Sequence, residues 1–147
     1  MTHRRGVSSV RYLLDTNIIS EALVPNPDPR VVERLASAQH ESAIAAPVWH
    51  ELLYGCLRLQ PSPRRDRLER YLHEVVATTL PIIAYDGPVA ARHAVERTRL
   101  SNEGRTPSFV DGQIAATALV YGLVLVTRNV RDFELFEDLA IENWFEA

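Results

Sequence analysis

Four short apolar runs, at about 10–14, 42–46, 80–85 and 123–126, are each followed by a stretch with helical spacing or by a polar loop. That alternation constrains the fold more than any other feature, because strands alternating with helices form a parallel sheet with right-handed crossovers. The runs carry no polar alternation, as expected of strands buried on both faces. Ile141 begins a weaker fifth run. The predicted helices span about 17–23, 29–39, 47–59, 64–77, 89–102 and 109–121. Pro29, Pro47 and Pro63 sit at helix starts and Gly122 at a helix end, where each residue type is at home. Residues 127–132 are expected to be a polar loop.

At 147 residues, with 46% apolar and 24% charged side chains, the chain is expected to be a single domain over 1–147 with a loose tail at 1–9. No apolar run approaches the roughly 20 residues of a membrane span. The start of the chain is basic but has no apolar core of a secretory signal, so the expected compartment is the cytoplasm. Cys56 is the only cysteine, which excludes an internal disulfide and a cysteine-rich zinc site. All 16 basic residues are arginine, so lysine-dependent chemistry is absent: no P-loop lysine and no Schiff base. Arginine still suits phosphate through its planar fork.

Asp15 follows the first apolar run directly, with Thr16 and Asn17 behind it. In open α/β sheets ligands bind outside the carboxyl ends of the strands, so this carboxylate stands where a ligand would. Helix capping is the competing explanation. Glu51 lies at the border of the apolar face formed by Val48, Trp49, Leu52, Leu53, Cys56 and Leu59, and a solvated border residue is the plain alternative. Asp111 shares its helix face with Ile114, Ala115 and Ala118, an inward direction that a free charge resists unless it is paired or binds a metal. Asn129 and Asp132 follow the strand at 123–126. They suit a turn and also match the place of Asp15.

Together Asp15, Glu51, Asp111 and Asp132 mark helix starts and strand ends on one expected rim of the sheet. The five histidines are scattered. An oxygen-only set suits a hard cation, Mg²⁺ with Mn²⁺ as a substitute.

Four fragments carry a resemblance: Leu-Leu-Asp-Thr-Asn at 13–17, Trp-His-Glu-Leu-Leu-Tyr-Gly at 49–55, Asp-Gly-Gln-Ile-Ala-Ala-Thr-Ala at 111–118 and Val-Thr-Arg-Asn-Val-Arg-Asp-Phe at 126–133. In order, over about 11–145, they resemble the PIN-domain family, and within it the ribonuclease toxins of VapBC-type toxin–antitoxin modules. The resemblance implies a three-layer α/β/α domain with a mostly parallel five-stranded sheet and a metal-dependent endoribonuclease. Its catalytic cluster would be Asp15, Glu51, Asp111 and Asp132, with Asp15, Asp111 and Asp132 holding Mg²⁺. Thr16, Asn17, Thr127 and Asn129 match supporting polar positions. A homodimer, an RNA substrate and a small antitoxin that blocks the active-site groove are implied as partners. Gly112 and Gln113 depart from the family pattern, which often has apolar residues there.

The expected reaction has Glu51 orienting or deprotonating a water that attacks a phosphodiester, with arginines contacting phosphate. The run with Arg64, Arg65, Arg67 and Arg70 is one candidate. It also holds Asp66 and Glu69, and a solvated face laced with ion pairs is the favoured reading of it. The competing function is a silent PIN-like module that binds nucleic acid or regulates without turnover. A phosphatase of the haloacid-dehalogenase type is a poorer match, because Asn17 stands where a second aspartate is needed. An apolar stripe at Trp49, Leu53 and Leu57 is a candidate groove for an antitoxin helix.

Overall fold

A computed structural model describes residues 9–146. The expected tail at 1–9 lies outside the described residues apart from Ser9.

The strands are β1 (Tyr12–Leu14), β2 (Ser42–Ala45), β3 (Ile82–Ile83), β4 (Val124–Val126) and β5 (Ile141–Glu142). They form one five-stranded sheet in the order β3-β2-β1-β4-β5, and every pairing is parallel. The centre of the sheet has the least polar sequence. Leu13, Leu14, Ala43, Ile44, Ala45, Leu125 and Val126 are fully enclosed, as strands covered on both faces require.

Helix α1 (Thr16–Ala22) follows β1, and α2 (Pro29–Ala38) follows the proline-rich break. Helix α3 (Ala46–Leu57) leaves β2 without an intervening loop. Helix α4 (Pro63–Tyr71) runs on through a π-helical turn, Leu72–Val76, into a last turn at Ala77–Thr79. Helix α5 (Gly87–Asn102) and helix α6 (Phe109–Tyr121) complete the cover on the sheet. Helix α6 ends at Gly122 in the left-handed conformation, φ 65°, which glycine adopts without a Cβ penalty.

Two expectations are revised. The predicted third strand shrinks from 80–85 to two residues at the sheet edge, where Pro81 lacks an N–H to donate. The expected loop at 127–132 contains a short helix, α7 (Val130–Phe133), which buries Phe133. The polar letters hid it, because one aromatic anchor leaves too little periodicity to detect.

β1 pairs with β2 on one side and β4 on the other. The chain therefore reverses its direction of growth across the sheet at β1, the topological switch point at which such sheets bind ligands.

Candidate active site

Asp15 is the first residue beyond β1 and Thr127 the first beyond β4, both buried at the switch point. Their backbones are tied together by Asp15 N–H donating to the Val126 carbonyl at 2.9 Å. The Asp15 carboxylate accepts from Thr16 N–H on Oδ1 at 2.8 Å, and on Oδ2 from Thr127 Oγ1 at 2.8 Å and Asn17 Nδ2 at 3.3 Å. A carboxylate has about four lone-pair sites, so three donors leave one position for a ligand. Thr127 Oγ1 in turn accepts from Asn129 N–H at 3.0 Å, and Asn17 Oδ1 accepts from Arg128 N–H at 3.1 Å. The four supporting polar residues thus form one network across the β1–β4 junction. Capping is real as well, since Asp15 caps α1 with a single bond to Thr16 N–H. Capping does not explain the bonds from Thr127 and Asn17.

One cavity is walled by Asp15, Thr16, Asn17, Ser20, Glu51, Val110, Asp111, Ile114 and Asn129. Three of the four predicted acids therefore meet there. Asp111 arrives on the first turn of α6, whose cap Ser108 accepts the Asp111 N–H at 3.1 Å. Glu51 arrives half-buried from the second turn of α3, as its border position predicts. Asp132, on α7, is exposed and outside these walls. Its negative charge still acts on both Asp15 and Asp111. Sequence reasoning missed Ser20. Its spacing of four from Thr16 puts it on the same face of α1, and that was the available signal.

Burial lifts the Asp15 carboxyl above its ordinary 3.8; the bonds from Thr127, Thr16 and Asn17 counter this, and the Asp132 charge adds to the lift. Burial likewise lifts Asp111, opposed by Ser108 and reinforced by the charges of Asp15 and Asp132. Among the described residues none of the four acids forms an ion pair. Elsewhere the arginines do find carboxylates: buried Glu96 holds Arg92 at 3.0 Å and Arg99 at 2.8 Å. The site is an uncompensated negative centre in a chain rich in available cations.

The donor set is oxygen only, with a free acceptor position on Asp15 and accumulated negative charge, which fits a hard divalent cation. No three carboxylates, imidazoles or thiolates among the described residues are close enough to cage one ion. That agrees with Mg²⁺ chemistry, in which one or two carboxylates bind and several waters are retained.

A family model for the PIN domain matches residues 12–140, so the chain belongs to the PIN-domain family. The Toxin FitB of Neisseria gonorrhoeae is 35% identical, covering 89% of this chain and 96% of that protein. The tRNA(fMet)-specific endonuclease VapC of Shigella flexneri is 30% identical over 92% of this chain and 98% of its own length. Among solved structures, DNA-bound VapBC from Salmonella typhimurium has a chain that superposes with a TM-score of 0.81 at 28% identity, covering 92% of this chain and 98% of that one.

Proposed function

We propose that the chain works as a single PIN domain in the cytoplasm, as the endoribonuclease toxin of a toxin–antitoxin pair, with Asp15, Glu51, Asp111 and Asp132 as its catalytic acids. The observation that carries this reading is the meeting of Asp15, Glu51 and Asp111 at the switch point with, among the described residues, no arginine paired to any of them. A structural cluster would be neutralised, because unpaired buried charge is costly. Relatives that carry toxin and endonuclease names support the same conclusion.

Asp15, Asp111 and Asp132 would hold Mg²⁺, or Mn²⁺ in its place, directly or through water. When bound, the cation neutralises charge and acts as a Lewis acid toward phosphoryl oxygens. Glu51 lines the same cavity as Asp15 and Asp111, forms no ion pair among the described residues, and would take the proton from the attacking water. Thr16, Asn17, Thr127 and Asn129 fix Asp15 in place, so that little reorganisation is required during the reaction. Asp111 and Asp15 exclude anions from the cavity when no cation is present, which makes substrate binding depend on the metal.

An adjoining depression shares Ser20 and Glu51 with the acidic cavity and continues to Gly55, Arg64 and Leu68. Of the four arginines at 64–70, Arg64 is the one on this path, and it is assigned to the RNA backbone. Trp49 and Leu53 are partly buried against the core, which removes most of the expected α3 stripe from the surface. A better seat for an antitoxin helix is the apolar groove among α1, α2 and α4, lined by Ile19, Leu23, Val32, Leu35, Tyr71 and Val75. A homodimer remains part of the proposal.

Incubation of the purified protein with RNA oligonucleotides in Mg²⁺, in Mn²⁺ and in excess chelator tests this reading. Cleavage that needs the metal is expected. Undiminished cleavage in chelator would remove the mechanism, and metal-dependent binding without cleavage would favour the silent module. Growth arrest on expression, relieved by coexpressing the small adjacent gene product, tests the toxin assignment.

A further inference from the structure

Directly behind Asp111, Gly112 lies against His93 of α5. A Cβ built at Gly112 would meet His93 Nε2 at 2.3 Å and Cδ2 at 2.7 Å. The ring has no easy retreat. Its Nδ1 is hydrogen-bonded to the Tyr85 hydroxyl at 2.7 Å, and it stands edge-on to Phe109 at 4.7 Å and to Tyr85 at 5.7 Å. His93 is 2% exposed, and its Nε2 is buried with no hydrogen-bond partner among the described residues. A buried polar atom left unpaired calls for an explanation. Here the atom fills a notch in the first turn of α6 that only glycine leaves open.

From these contacts we infer that His93 is a positioning residue for Asp111. Its ring, held by Tyr85, seats in the Gly112 notch and sets the depth and rotation of the α6 start, so that Asp111 faces the cavity. The rest of that turn is held as well: Ser108 caps it, and the Phe109 ring contacts both His93 and the Arg97 guanidinium, the latter 5.3 Å from the ring centroid. Burial, and then the charge of Arg97, hold the imidazole below its ordinary 6.5. The departure from the family pattern at Gly112 is thereby explained as the complement of a histidine on the neighbouring helix.

Restoring an ordinary contact of 3.4 Å from 2.3 Å requires a shift of about 1 Å, and a misplacement of that size costs roughly 10²-fold in rate. Helix propensity alone makes the opposite prediction, since alanine outperforms glycine inside a helix.

The inference rests on the metal-site reading, so Asp111→Asn is tested beside Gly112→Ala, His93→Ala and the double variant. Each is checked for folding by circular dichroism and studied well below its Tm, by calorimetry with Mn²⁺ alone and by RNA cleavage. Gly112→Ala is expected to bind Mn²⁺ about 10-fold more weakly and to lose about 10²-fold in kcat with KM for RNA unchanged. His93→Ala, which carries no clash, should also weaken Mn²⁺ binding and keeps the test open if Gly112→Ala does not fold. The double variant should recover most of both losses. Parental Mn²⁺ affinity and kcat in either folded single variant overturns the inference, as does a double variant no better than Gly112→Ala. If Asp111→Asn itself binds and cleaves like the parent, the metal-site reading fails and takes the inference with it. If Asp111→Asn alone is impaired, only the role of His93 falls.

Discussion

Thr127 Oγ1 donates to Asp15 Oδ2 at 2.8 Å, a bond between residues 112 positions apart that joins the ends of the two central strands. The same hydroxyl accepts from Asn129 N–H and from Asn17 Nδ2, so one buried group serves three partners. Thr127→Val keeps the shape and deletes all three bonds. Leaving buried partners unsatisfied costs about 1–3 kcal/mol, measurable as a lower urea midpoint. Because the Thr127 bond pulls the Asp15 carboxyl down, its loss should also move that carboxyl further up in a ¹³C NMR titration.

Asp111→Asn separates a metal site from a simple cap. Burial and the charges of Asp15 and Asp132 raise the Asp111 carboxyl above 3.8. A carboxyl raised in the folded state contributes stability that is full below 3.8 and is lost as pH rises through the folded value. Asparagine removes the charge that burial and the two neighbouring acids oppose, so the metal-free variant should match or exceed the parent in Tm. It should also forfeit stabilisation by added Mg²⁺, about 2.7 kcal/mol at 100 times Kd. A less stable protein that still responds to Mg²⁺ would refute the assignment.

Glu96 behaves in the opposite sense. Burial opposes its ionisation, but hydrogen bonds from Arg99 and Arg92 prevail and hold its carboxyl below 4.5. This contribution is present above 4.5 and is lost as pH falls through the lowered value. Glu96→Gln should cost about 1–3 kcal/mol at pH 7, and the difference from the parent should shrink on acidification, with RNA cleavage at pH 7 unaffected well below Tm.

Arg64→Ala should raise KM for RNA with kcat nearly unchanged. If Arg64 meets one phosphate, the slope of log affinity against log salt should fall by about 0.7 for a single strand. Arg67→Ala, on the same helix but away from that path, should leave the slope alone.

Gly122→Ala provides a control remote from the chemistry. The left-handed cap at φ 65° costs a residue with a Cβ about 1–2 kcal/mol, so Tm should drop while cleavage measured well below it persists.

The parallel sheet, its central strands and the placing of Asp15, Glu51 and Asp111 around one cavity rest on strong local signals. Leu13-Leu14-Asp15 is an apolar run cut by a carboxylate, and Asp111 stands on a face of small apolar residues. What stayed illegible depends on partners distant in sequence. Nothing near His93 announces that its ring will meet Gly112, and the histidine read as one of a scattered set. Trp49 and Leu53 looked like surplus apolar surface, because a single sequence does not reveal how much of a helix α4 will cover. The two-residue β3 and the short α7 are held by neighbours more than by their own letters, and such elements escape periodicity.

The bond from Thr127 to Asp15 also has a consequence in time. On a growing chain Asp15 emerges 112 residues ahead of its partner, an interval of roughly 6–22 s at about 5–20 residues per second. Until β4 has left the ribosome and inserted beside β1, neither the cavity nor its network exists. A cell that makes this chain is thus exposed to the assembled site only after β4 has been synthesised.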